Sequence, residues 1–207
     1  MAPTWQSRIR LISSMVLVAV FVPTRATMAA PDRLLVGPAG SERFGAAVHA
    51  LANGNIVVVD HLFDNGPQVD AGAVFLYDGT NGDLISQLVG GTSQDRVGSA
   101  GVLTLPNGNF VVLSPYWTNG TLANVGAATW VDGSTGLNGT VSVANSLIGA
   151  QVFDEVGTRG QVLPGGNYLV LSPQWDNGSA MGAGAVTWGD GANGTSGVVS
   201  PANSLVG

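Results

Sequence analysis

Asn107-Gly108-Asn109-Phe110-Val111-Val112-Leu113-Ser114-Pro115 decides the fold, because the chain contains this stretch three times. It returns as Asn53-Gly54-Asn55-Ile56-Val57-Val58-Val59-Asp60-His61 and as Gly165-Gly166-Asn167-Tyr168-Leu169-Val170-Leu171-Ser172-Pro173. Each copy is a tight polar turn opening a short apolar run that stops at a polar residue. Such a run, rich in β-branched and aromatic residues and bounded by turn signals, reads as a strand buried on both faces.

The surroundings repeat as well. A first strand is expected before each turn, over Ala46 to Leu51, Ser99 to Leu105 and Thr158 to Leu163. Beyond each buried run come Asn65-Gly66, Asn119-Gly120 and Asn177-Gly178. Gly72, Gly126 and Gly184 then open third strands (73–77, 127–131 and 185–188), which end at Asp78-Gly79, Asp132-Gly133 and Asp190-Gly191. Asn-Gly and Asp-Gly supply the positive φ that tight turns between antiparallel strands need. Only the last connection varies, being 11 residues in the first unit and 16 in the others. A fourth, outer strand is expected there, at 86–89, 140–143 and 197–200.

Leu35-Val36-Gly37 returns as Leu88-Val89-Gly90, Leu147-Ile148-Gly149 and Leu205-Val206-Gly207, at spacings of 53, 59 and 58 residues. A period of that size calls for a repeat architecture. Read as the opening of each unit, the tripeptide sets units at about 35–87, 88–146 and 147–204, with the start of a fourth at 205–207. Four-stranded sheets apolar on both sides must stack face to face, and radial stacking of such sheets is a β-propeller. The expected fold is all-β: a propeller-like array of three four-stranded antiparallel blades in a repeat domain over 30–207. Propellers usually close with four blades or more, so the array reads as incomplete. It is then a fragment, a truncated frame, or a part that closes its ring with other chains.

Composition narrows the function classes. The 207 residues are 45% hydrophobic, only 10% charged, and include 31 glycines and no cysteine. Beyond residue 30, four arginines face all 13 acidic residues, a formal balance of −9. That excludes a nucleic-acid partner, whose phosphates demand a basic surface. At the N-terminus, Arg8 and Arg10 precede the apolar run Leu11 to Val22, and Thr27-Met28-Ala29 offers small residues for cleavage. This is the plan of a signal peptide over 1–29, since the run is short for a membrane span of about 20 residues. The mature chain is expected to be secreted or at the cell surface, with no membrane span.

Two family resemblances follow from these residues. Glu42-Arg43-Phe44-Gly45-Ala46-Ala47-Val48 and Asp70-Ala71-Gly72-Ala73-Val74-Phe75-Leu76-Tyr77 resemble the FG-GAP repeats of integrin-alpha-like β-propellers. From Leu169 to Gly207, Val-Leu-Ser-Pro, Trp-Asp-Asn-Gly, Gly-Ala-Val-Thr-Trp and Ala-Asn-Ser-Leu-Val-Gly resemble tandem repeats of large bacterial filamentous-haemagglutinin-like surface proteins. The resemblance implies an adhesin-like role. Many FG-GAP units hold calcium in an acidic loop between the first two strands. The loops at 52–55, 106–109 and 164–167 carry no carboxylate, so calcium is not expected there and no cofactor is implied.

Candidate ligand-binding residues are Phe63, Trp117 and Trp175, one repeat position that could present aromatic platforms to sugar rings, with Asp64 and Asp176 beside them. Packing against the neighbouring blade is the competing role for the aromatics, and backbone bonding in turns for the acids. Trp130 and Trp188, within third strands, are expected in the core. No Ser/His/Asp order, metal-binding histidine spacing or phosphate loop stands out, so no catalytic residue is assigned. The expectation is a secreted, non-enzymatic, adhesin-like protein binding a host or cell-surface protein or glycan through blade loops. A structural spacer comes second, and a propeller-type glycan-active enzyme third. Self-association that closes the propeller is the remaining partner expectation.

Overall fold

The structure, a computed structural model, describes residues 34–207. The proposed signal peptide at 1–29 lies outside the described residues. Fourteen strands, and no helix among the described residues, build three sheets. In the first, β1 (Ala47–Ala50), β2 (Ile56–Asp60), β3 (Ala73–Tyr77) and β4 (Leu84–Val89) form an antiparallel meander. The second is β5 (Val102–Thr104), β6 (Phe110–Ser114), β7 (Ala127–Val131) and β9 (Ser146–Ile148). The third is β10 (Arg159–Val162), β11 (Tyr168–Ser172), β12 (Ala185–Gly189) and β14 (Ser204–Val206). The protein is thus an all-β, propeller-like array of three four-stranded blades.

The turns behave as their residues demand. Gly54 donates to Leu51 O and Leu51 to Asn55 O, while Asn53 Oδ1 accepts from Asn55 N; Gly54 has φ 91°. After β3, Asp78 Oδ1 accepts the amides of Thr80 and Asn81. Asp132 and Asp190 accept from the two equivalent positions in their own turns. The Thr80 hydroxyl on Asp78 and the Asn193 side-chain amide on Asp190 act most strongly, and with these backbone amides they hold all three carboxyls below the usual carboxylate range, because the charged form is the better acceptor.

The fourth strand is where the structure departs from the sequence reading. Residues 140–143 and 197–200 do not complete their own blades. Instead β8 (Gly139–Thr140) runs parallel to β4 of the first blade, and β13 (Gly197–Val198) runs parallel to β9 of the second. Each is a strap thrown back over the preceding blade, fastened by Val141 N to Val89 O and Val199 N to Ile148 O. Val141 and Val199 are buried beneath it. The shorter connection of the first unit forms no such strap. The true fourth strands carry the Leu-Val-Gly tripeptides, which close each sheet rather than open the next unit. Leu205-Val206 accordingly belongs to the third blade.

Packing follows strand alternation. One core lies between the first and second blades, from Val59, Val74 and Leu88 across to Phe110, Val112 and Trp117. A second joins Leu113 and Leu147 to Tyr168, Val170 and Trp175. Burial pushes the Tyr168 hydroxyl up to about 12. The back of the first blade is covered by its own aromatics. Phe44 and Phe63 pack on Phe75, with ring centroids 5.7 and 5.6 Å apart.

Candidate functional site

At one edge of the array the units interlock through two nine-residue hooks, each beginning at a closing glycine, Gly90 or Gly149. The hook at 90–98 lies along the segment before β3: Val97 N donates to Ala71 O at 3.0 Å, Arg96 N to Asp70 O at 3.1 Å and Gln94 N to Val69 O at 2.9 Å. The hook at 149–157 repeats this, from Val156, Glu155 and Phe153 to Val125, Asn124 and Ala123. Gly72 and Gly126 are required here. Each has positive φ, and a Cβ at either would collide with the backbone of Val97 or Val156.

A buried aspartate clamps each hook. Asp95 Oδ2 accepts the amides of Gly91 and Thr92, and its Oδ1 accepts Thr118 N from the next loop. Asp154 does the same for Ala150, Gln151 and Asp176. Burial raises the Asp95 carboxyl above its ordinary value, with the three amides opposing that rise.

Six of the described residues other than glycine have positive φ, and these six lie at this edge: Asp70, Gln94, Arg96, Asn124, Phe153 and Glu155, between 46° and 70°. A left-handed backbone costs such residues on the order of 1 kcal/mol each, and such strain clusters at binding sites and clamps. Gln94, Arg96, Tyr116 and Asn124 line a shallow cavity of about 320 Å³. Arg96 Nη2 donates to Gln94 Oε1 at 2.7 Å and lies 3.9 Å from Asp70 Oδ2, which also accepts from Gln94 Nε2 at 2.9 Å. Arg96 Nε is buried without a partner among the described residues. Phe153, held beside Asn124 by the second hook, is 58% exposed. A fixed guanidinium, two amides and two open aromatic rings suit hydrogen bonding and stacking. Among the described residues, no three of His, Cys, Asp and Glu come together as a metal-holding group.

The residues singled out from sequence fall elsewhere. Phe63, Trp117 and Trp175 are buried, at 4–5% exposure, in the three cores. Their position supports the packing role and leaves no open face for a sugar ring. Asp64 and Asp176 brace the loops that start at them: Asp64 Oδ1 accepts Asp70 N at 2.9 Å, and Asp176 Oδ1 accepts Gly182 N at 2.6 Å. They stand in the first and third units, with Thr118 at the equivalent position between them. Trp130 is half-buried and donates to Gly191 O at 3.1 Å, whereas Trp188, expected in the core, is 52% exposed. Sequence reasoning passed over Tyr116 and Phe153. One signal was available: Tyr116 stands where the other units have Leu62 and Gln174, and Phe153 where they have Ser41 and Gln94. An aromatic that breaks the repeat in a loop is not explained by the repeated core.

Fold and interlocking hooks together define a tandem-repeat, propeller-like β protein. Residues 50–99, 104–158 and 162–207 each match the DUF5650 family, described as a repeat of unknown function, and the chain belongs to that family. The first two matched segments end just past Gly98 and Gly157, so each spans most of a blade together with the hook that follows it. No curated protein matches the chain.

Proposed function

We propose that the protein is a secreted, non-enzymatic surface protein of adhesin-like type, which binds a protein or glycan through the hook edge of its blades. The observation that carries this reading is the strained, clamped edge displaying Arg96, Tyr116 and Phe153 beside a shallow polar cavity. Rigid scaffolds present binding loops in this way, and exposed aromatics next to an arginine are the residue types that anchor recognition. The resemblance of 42–48 and 70–77 to FG-GAP units, and of 169–207 to haemagglutinin-like repeats, supports the same reading. Export rests on the 1–29 pattern; no helix among the described residues is long and apolar enough to cross a membrane.

Glycan-array and cell-surface binding of the mature chain tests it. Phe153→Ala and Tyr116→Ala should each weaken binding about tenfold, in line with truncation of an exposed aromatic anchor, while the thermal melt stays unchanged. Binding that survives both substitutions removes this edge as the site. A spacer role is the second reading, favoured by straps and hooks that lock each unit to its neighbour. Absence of binding to any glycan or surface protein would leave the spacer role in possession.

A further inference from the structure

We propose that the front face of the third blade is a docking surface for a strap-bearing unit of this same repeat, which enters by its hook. Leu88, Leu147 and Leu205 occupy one repeat position on the front of their blades. Leu88 and Leu147 are 2% and 1% exposed, whereas Leu205 is 79% exposed. Trp188 stands open where Trp130 is half-covered and hydrogen-bonded to the following unit.

Backbone features agree with the side chains. Gly72 and Gly126 are abutted by the next hook, but a Cβ on Gly184 would meet nothing closer than 3.6 Å, although Gly184 keeps the same positive φ of 81°. The glycine is retained and the contact that requires it is absent. Next to it lies a cavity of about 370 Å³ walled by Leu171, Ser172, Val186 and Leu205, with Arg159 at its side. Val97-Gly98 and Val156-Gly157 of the hooks sit in the corresponding places on the first two blades, where both valines are fully buried. A second apolar cavity, bounded by Trp188, Ala202 and Leu205, lies along β14, the strand whose counterparts β4 and β9 are crossed by straps.

The occupant must therefore supply a hook of the Asp-x-Val-Gly kind and a strap. The first unit of a second copy does not qualify. Its connection lacks the strap, and its back is already covered by Phe44 and Leu35. It is the surface, not the position of Gly207 in the chain, that points to this partner.

The absence of cysteine provides a clean test. Leu205→Cys is made in the full chain and in the same chain extended after Gly207 by a second copy of residues 150–207. Thiol alkylation at position 205 should slow more than about tenfold in the extended protein, as burial behind a cooperative unit predicts. It should recover when the added unit carries the equivalents of Asp154→Ala and Val156→Asp. An unchanged rate in the extended chain overturns the proposal, whether the added unit folds apart or not at all. Protection in the unextended chain that grows with protein concentration also overturns it, because a second copy is then the occupant.

Discussion

The aspartates at the two edges of this array are the same residue in repeated positions, yet Asp95 at one edge and the turn aspartates at the other are pushed in opposite directions. At the hook edge Asp95 and Asp154 are buried and each gathers three amides from two segments of chain. At the other ends of the third strands the carboxyls of Asp78, Asp132 and Asp190, residues only half-buried, bond within their own turns. Burial raises Asp95, whereas hydrogen bonds from their own turns, the Thr80 hydroxyl foremost at Asp78, lower the other three. The difference teaches that aspartates hold units together at one edge and only shape the chain reversal at the other. Between-unit contact at the turn edge falls to asparagines: Asn53 Nδ2 and Asn107 Nδ2 reach Gly133 O and Gly191 O of the next blade, both at 2.8 Å.

The contrast can be broken by mutation. Trp117→Ala, which empties the core beneath the hook edge, should cost about 4 kcal/mol in urea unfolding. Asp95→Ala should come next, at about 2–3 kcal/mol, because it strands three amides, two of them in the hook itself. Asn107→Ala at the turn edge should cost about 1 kcal/mol, the worth of a partly buried hydrogen bond. If Asn107→Ala proved as damaging as Asp95→Ala, the division of labour between the edges would be wrong.

The smallest effect is the most specific, since it concerns sign. A carboxyl lowered by folding, such as Asp132, contributes stability that is present above its unfolded value and lost as pH falls through its folded value. Asp95 is raised, so its charged form is disfavoured in the fold. That penalty is complete above the folded value and is relieved as pH falls through it toward the unfolded value. Stability measured from pH 7 to 3 should therefore show a shallower acid loss in Asp132→Asn and a steeper one in Asp95→Asn. Parallel shifts in the two variants would show that the carboxyls do not differ as their surroundings require.

Much of this was legible in the chain. Three buried runs, three pairs of turns and a period in the fifties declare stacked four-stranded sheets, because alternation and turn chemistry act over a few residues. The error over the fourth strand has a physical origin. A short polar-apolar segment such as Gly139-Thr140-Val141 pairs as readily with a neighbour's edge as with its own, and local sequence does not say which edge is within reach. Of the two roles weighed for Phe63, Trp117 and Trp175, burial favours packing over sugar platforms: they repeat because every unit needs a core, so repetition marks packing.

By itself, then, the sequence determined the kind of element, the order of strands within a meander and the place of every tight turn. These depend on side-chain alternation and on φ preferences carried by each residue. Only the tertiary structure decided that Leu-Val-Gly closes a blade, that hooks and straps belong partly to the blade before, and that Arg96, Tyr116 and Phe153 share one edge. Those outcomes depend on which backbone amides and apolar faces meet across tens of residues. That is a matter of competition between surfaces that no single stretch contains.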